Sequence, residues 1–184
     1  MHTLKCLIRW IDLLNEGIGN AVSWLTAGLV LVVCYDVVTR YVFNYSSVAA
    51  QELEWHIFAV IFLIGAAYTL KHEGHVRVDV FYTLLSPRGK AFVDLIGGLL
   101  FLIPFSLLII WSSQSFISMS WSVMESSPDP GGLPYRFLLK AMIPTSSVLV
   151  LLQGIAMTLR AFFTLINRPL DPDNQSKPVG EIHA

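Results

Sequence analysis

Residues 22–43 read VSWLTAGLVLVVCYDVVTRYVF, and this stretch decides the fold. At about 1.5 Å per residue it is long enough to cross a hydrocarbon core of roughly 30 Å. It carries no charged side chain before Asp36. Three further runs share its character: Leu53–Leu70, Phe92–Trp111 and Phe137–Leu159. Apolar stretches of this length lack the polar stripe that a helix needs where one face meets water, which argues against a water-soluble bundle. Composition agrees, with 54% hydrophobic residues, 14% charged residues and a mean hydropathy of +0.62. The sequence predicts an all-α integral membrane four-helix bundle, a single domain over residues 1–166 with the lipid bilayer as its surroundings. Pro169, Pro172 and Pro178 among polar residues predict a disordered tail over 167–184.

Upstream of the first run, Leu4, Leu7, Ile8, Ile11, Leu14 and Ile18 recur at helical spacing, with Lys5, Arg9, Asp12 and Glu16 between them. This predicts an amphipathic helix over residues 3–18, lying in the membrane interface or packed as a cytosolic helix on a partner protein. The apolar part that follows is too long for a secretory signal and lacks a small-residue cleavage pattern, so the mature chain is expected to start at Met1.

Basic residues set the expected topology, because Lys and Arg near a span are retained on the cytoplasmic side. Lys5 and Arg9 precede the first span, Lys71, Arg77, Arg88 and Lys90 lie between the second and third, and Arg160, Arg168 and Lys177 follow the fourth. The other side has Arg40, Arg136 and Lys140, all at span ends. Both termini are therefore expected in the cytoplasm, with 44–51 and 112–135 facing outward. Trp55, Trp111 and Trp121 fit an outer interfacial belt and Trp24 an inner one. Pro104 and Pro144 fall inside spans and predict local kinks. Cys6 and Cys34 are placed too differently to form a disulfide.

A net charge of −1 gives no basic excess for nucleic acid. There is no phosphate-binding loop, redox cysteine pair, metal-ligand cluster or Ser, His and acid set at one depth, so no enzyme activity, metal or cofactor is expected. A haem-anchor reading needs axial histidines on two helices. His56, His72 and His75 all belong to the second span and its inner flank, so that geometry cannot be built. A small proton-coupled exporter would need a deep acid, and Asp36 has Arg40 four residues on to hold it ionised. Gln51, Glu52 and Glu54 open the second helix across a short turn, where Arg40 could meet Glu52 or Glu54. That constellation reads either as an ion-pair clasp between two helices or as part of a substrate or ion site.

The runs DVVTRYVFN at 36–44, QELEWH at 51–56, GAAY at 65–68, KHEGHVRVD at 71–79 and SPDPGGLPYR at 127–136, then Lys140 and Pro144, occur in that order. In this combination the chain resembles the small membrane subunit, the DctQ-like Q subunit, of tripartite ATP-independent periplasmic (TRAP) transporters. One departure is that Leu53 separates Glu52 from Glu54, where the family commonly has adjacent acids beside a Trp, here Trp55. The resemblance implies a non-enzymatic scaffold in the bacterial inner membrane. It would pair with a large membrane subunit that carries the substrate and sodium sites, and a periplasmic solute-binding protein would deliver an organic acid. The resemblance assigns no catalytic residue. The structural or interface candidates are Asp36, Arg40, Glu52, Glu54 and Trp55 outside, and Gly74, Arg77 and Asp79 in the inner loop. The alternatives to this reading are the membrane anchor of an oxidoreductase and a stand-alone exporter.

Overall fold

The apolar phase of the first forty residues runs on without interruption, and the computed structural model follows it. The structure describes residues 2–72 and 85–166. Helix α1 spans His2–Val42, α2 Val48–Lys71, α3 Pro87–Gly97, α4 Ile103–Ser122 and α5 Phe137–Leu165, with a π-helical turn over Gly98–Leu102 joining α3 to α4. There are no strands among the described residues. Among the described residues, four helical rods are long and apolar enough to cross a membrane: Thr3–Val42, Val48–Lys71, Pro87–Ser122 and Phe137–Leu165. The expected tail over 167–184 lies outside the described residues.

Helix boundaries follow local chemistry. The Ser47 hydroxyl accepts from the Ala50 N–H to start α2, and Ser86 accepts from Gly89 ahead of Pro87 to start α3. At the end of α1, Asn44 takes a left-handed conformation (φ 52°) while Thr39 O accepts from both Phe43 N and Tyr45 N. That pattern ends a helix.

The expected separation of an interfacial helix from the first span is not present: α1 is one helix of 41 residues, about 61 Å long. The cause is phase. Ile8 and Ile11 pack with Ala156, joined by Leu4, Leu152, Leu159 and Phe163. Leu14, Ile18 and Val22 continue the same face onto Ile64, Ala67 and Leu149. Gly19 could have broken the helix, but it lets Tyr68 pack flat on α1; a Cβ there would lie 2.1 Å from the Tyr68 ring.

α5 is the centre of the bundle, packing on α2, on α3 and α4, and on the first half of α1. A third of its most apolar window is buried (33%), against 6% for α1, which lies at the periphery. The third rod meets α5 through small side chains. Ala91, Gly98, Ser106, Ser113 and Ser120 are all buried, seven residues apart except for one step of eight. The π turn falls in that longer step and absorbs the extra residue, so all five stay on one face. Pro104 contributes, because its missing N–H leaves the carbonyl of Leu100 inside the π turn without its usual α-helical donor. At Gly98 a Cβ would come within 2.1 Å of Thr158 Oγ1 on α5.

This register yields a paired prediction. Deleting Leu100 converts the π turn to α-helix, keeps the small residues on α5 and leaves thermal stability nearly unchanged. Deleting Leu108 rotates everything beyond it by about 100°, bringing Gln114 and Trp121 to the positions of Ser113 and Ser120. The overpacking costs about 1–3 kcal/mol or more. Thermal unfolding of the two purified deletion variants checks this, and equal losses would refute the register.

Candidate functional site

Two polar layers link the helices, one at the end where α2 begins and α4 joins α5, the other where α1 starts and α5 ends.

At the first, the centre is Glu52 in the second turn of α2, which is 5% exposed. Its carboxylate accepts from Ser127 Oγ at 2.5 Å and from the Leu133 backbone N–H at 2.6 Å. Ser127 N donates to Leu133 O at 3.0 Å, and Gly132 N to Asp129 O, so the segment between α4 and α5 folds into a turn seated on Glu52. Gly132 is required there: a Cβ would meet Ser127 at 2.4 Å and Glu52 Oε2 at 2.8 Å. His56, one turn along α2, places Nδ1 2.6 Å from Glu52 O. The Arg136 guanidinium stands 5.5 Å from the centroid of the Trp55 ring, a cation–π contact between the loop and α2.

Beside this seat, Lys140 at the start of α5 pairs with Glu125 and lies 4.1 Å from the Phe116 ring centroid on α4. The hydrogen bond from Lys140, with a smaller contribution from Ser120, holds the Glu125 carboxyl below the ordinary glutamate value of 4.5. Trp121 meets Phe137 edge to face at 4.6 Å and closes the same corner.

The candidates from the sequence fall in different places. Arg40 pairs with Asp36 one turn back on α1, and Asp36 is 2% exposed. The expected contact of Arg40 with Glu52 or Glu54 is not made, since Glu52 is turned toward the loop. Glu54 lies about 200° around α2 from Glu52, and its Oε1 is enclosed without a hydrogen-bond partner among the described residues. Trp55 takes the Arg136 contact. Gly74, Arg77 and Asp79 lie outside the described residues.

The second layer was not anticipated. Asn15 and Gln153, both 1% exposed, share a hydrogen bond of 2.7 Å from Asn15 Nδ2 to Gln153 Oε1. Gln153 Nε2 donates to Asp12 Oδ1 at 3.2 Å, and Arg160 pairs with the other Asp12 oxygen. Lys71 Nζ donates to Glu16 Oε2 at 2.5 Å and to Asp12 O at 3.0 Å, while His72 Nε2 lies 2.9 Å from the same Glu16 oxygen. Three helices are tied there through seven side chains. The signal available in sequence was that Asn15 is in phase with Ile8, Ile11 and Ile18, and that Gln153 is an amide inside an otherwise apolar run.

Chemically, both layers are closed. Carboxylates accept from fixed donors on neighbouring elements, and no cluster of three or more His, Cys, Asp or Glu able to hold a metal ion occurs among the described residues. The arrangement fixes helices relative to one another.

Two predictions follow from the loop seat. Glu52→Ala and Gly132→Ala each release the 123–136 segment, so limited proteolysis there speeds up several-fold while the spans stay intact; unchanged cleavage in both would exclude the seat. For Glu125, the folded-state value is depressed, so its contribution to stability is present above 4.5 and is lost as pH falls through the lowered value. Thermal unfolding followed from neutral pH down past 4.5 is expected to fall more steeply for the native chain than for Glu125→Gln, and identical profiles would refute the coupling.

Residues 29–164 match the family described as "Tripartite ATP-independent periplasmic transporters, DctQ component". The chain is also 28% identical over 140 residues to a Haemophilus influenzae protein described as "Putative TRAP transporter small permease protein", a match covering 74% of this chain and 85% of that one. The family match takes in α2 to α5 almost whole, with Glu52 and its loop inside it and Asp12, Asn15 and Glu16 of the second layer before it, and on it this chain belongs to the DctQ family of TRAP transporter small subunits.

Proposed function

We propose that this chain is the stationary scaffold of its transporter, pairing with a large membrane subunit that carries out sodium-coupled uptake of an organic acid presented by a periplasmic solute-binding protein. Membership of the DctQ family supports a transport role. The observation that carries the scaffold assignment is that the ionic groups joining the helices lie in two fixed layers, Glu52 with its loop and Asp12, Glu16, Lys71 and Arg160 with their partners, and between them the core is closed by Ile64, Ala67 and Leu149. A charged solute crossing such a core would leave its hydration with nothing to replace it.

In this reading the chain resides in the bacterial inner membrane with both termini in the cytoplasm. The Asp12–Arg160 layer then lies at the inner surface and the Glu52 seat at the periplasmic one. The peripheral position of α1 and the exposure of most of its length leave a broad lateral surface for a neighbouring subunit or lipid.

An affinity-tagged chain expressed with its neighbouring reading frames is expected to recover a large polytopic membrane protein. Vesicles holding both, supplied with the binding protein and a sodium gradient, are expected to accumulate solute, and vesicles lacking this chain are not. Full uptake by the large subunit and binding protein alone would overturn the scaffold role.

A further inference from the structure

The residues expected to press the start of α1 onto a membrane surface are mostly spent inside the bundle, and a different face is left outward. Leu4, Ile8, Ile11, Leu14 and Ile18 pack on α2 and α5. Leu7, Trp10 and Leu13 remain 50, 61 and 64% exposed, and Cys6 is exposed beside them. At about 100° per residue these four occupy roughly a third of the helix circumference.

Charge distinguishes this patch from an ordinary apolar flank. The acids of the same turns are engaged inward, Asp12 by Arg160 and Gln153, Glu16 by Lys71 and His72. Lys5 and Arg9, exposed one turn apart along one edge of the patch, make no ion pair among the described residues. The outward charge of this segment is therefore positive. The patch is also continuous with exposed apolar surface, since Trp24 and Leu31 further along the same face of α1 are 78 and 71% exposed. An aromatic ring at the polar boundary, aliphatic side chains beside it and uncancelled cations on the edge are what the end of a span at an anionic leaflet requires.

We propose that the Leu7, Trp10 and Leu13 face of α1, with Lys5 and Arg9, is a docking surface for anionic lipid headgroups in the leaflet nearest the start of the chain. Leu13 lies nearest the acyl boundary, Trp10 and Leu7 sit at headgroup level, and Lys5 and Arg9 meet the phosphates. This surface does not depend on the transport reading, because it needs only this chain and lipid.

Cys6 is a built-in reporter, since the chain has two cysteines and the other, Cys34, can be removed. The full chain carrying Cys34→Ser is placed in nanodiscs of phosphatidylcholine alone or mixed with phosphatidylglycerol, and the rate of Cys6 modification by an uncharged, impermeant polyethylene glycol maleimide is measured. Phosphatidylglycerol is expected to slow modification about fivefold or more, as one or two basic contacts imply. The difference should vanish in the Lys5→Gln, Arg9→Gln variant, whose exposed substitutions leave the packed face untouched, and should shrink as salt is raised. Equal rates in the two lipids would overturn the proposal, including the case in which Cys6 becomes protected only when another membrane protein is bound. Protection by phosphatidylglycerol that persists in the double variant would overturn it too.

Discussion

A polar group taken into this bundle needs a partner from the same chain, because hydrocarbon offers none. The architecture follows from how that constraint is met. The polar contacts between helices are gathered into two layers, and in each a single side chain bridges elements far apart in sequence: Glu52 receives the loop between α4 and α5, and Gln153 joins Asn15 and Asp12. An interhelical hydrogen bond in a membrane contributes about 1 kcal/mol. Its larger effect here is on register, since sliding either helix by one turn would leave carboxylates and amides enclosed and unpaired.

Between the layers, packing takes over from polarity. α5 meets the third rod through Ala91, Gly98, Ser106, Ser113 and Ser120, so the backbones approach closely and dispersion replaces the hydrophobic effect that lipid cannot supply. The π turn at Gly98–Leu102 reconciles that surface with an eight-residue step, so a local irregularity preserves a long-range regularity.

The apolar runs made the helical membrane architecture legible from sequence, because a span is set by length and hydropathy alone. The boundary between amphipathic segment and first span was not, since no proline intervenes and Ile11, Leu14, Ile18 and Val22 hold one phase throughout. Among the site residues, Asp36 and Arg40 are four apart on one helix, and the local partner prevails because no loop has to be ordered to reach it. Glu52 was recognisable as a costly acid at a helix start, yet its partners lie 75 and 81 residues away, a distance over which spacing carries no geometric information. The repeat of small residues was present in the sequence but is split by one step of eight, which only the π turn explains.

The placement of Gln153 bears on how the chain is made. Asn15 emerges 138 residues before Gln153, and Glu52 well before the loop that receives it, so the first helices enter the membrane with their polar groups still hydrated at its edges. Synthesis of α5 follows the loop that Glu52 receives and completes the Gln153 layer, which makes it the helix that commits the earlier rods to a common arrangement. A ribosome that stopped short of α5 would release three apolar rods with no agreed register, a species for the membrane proteases to clear.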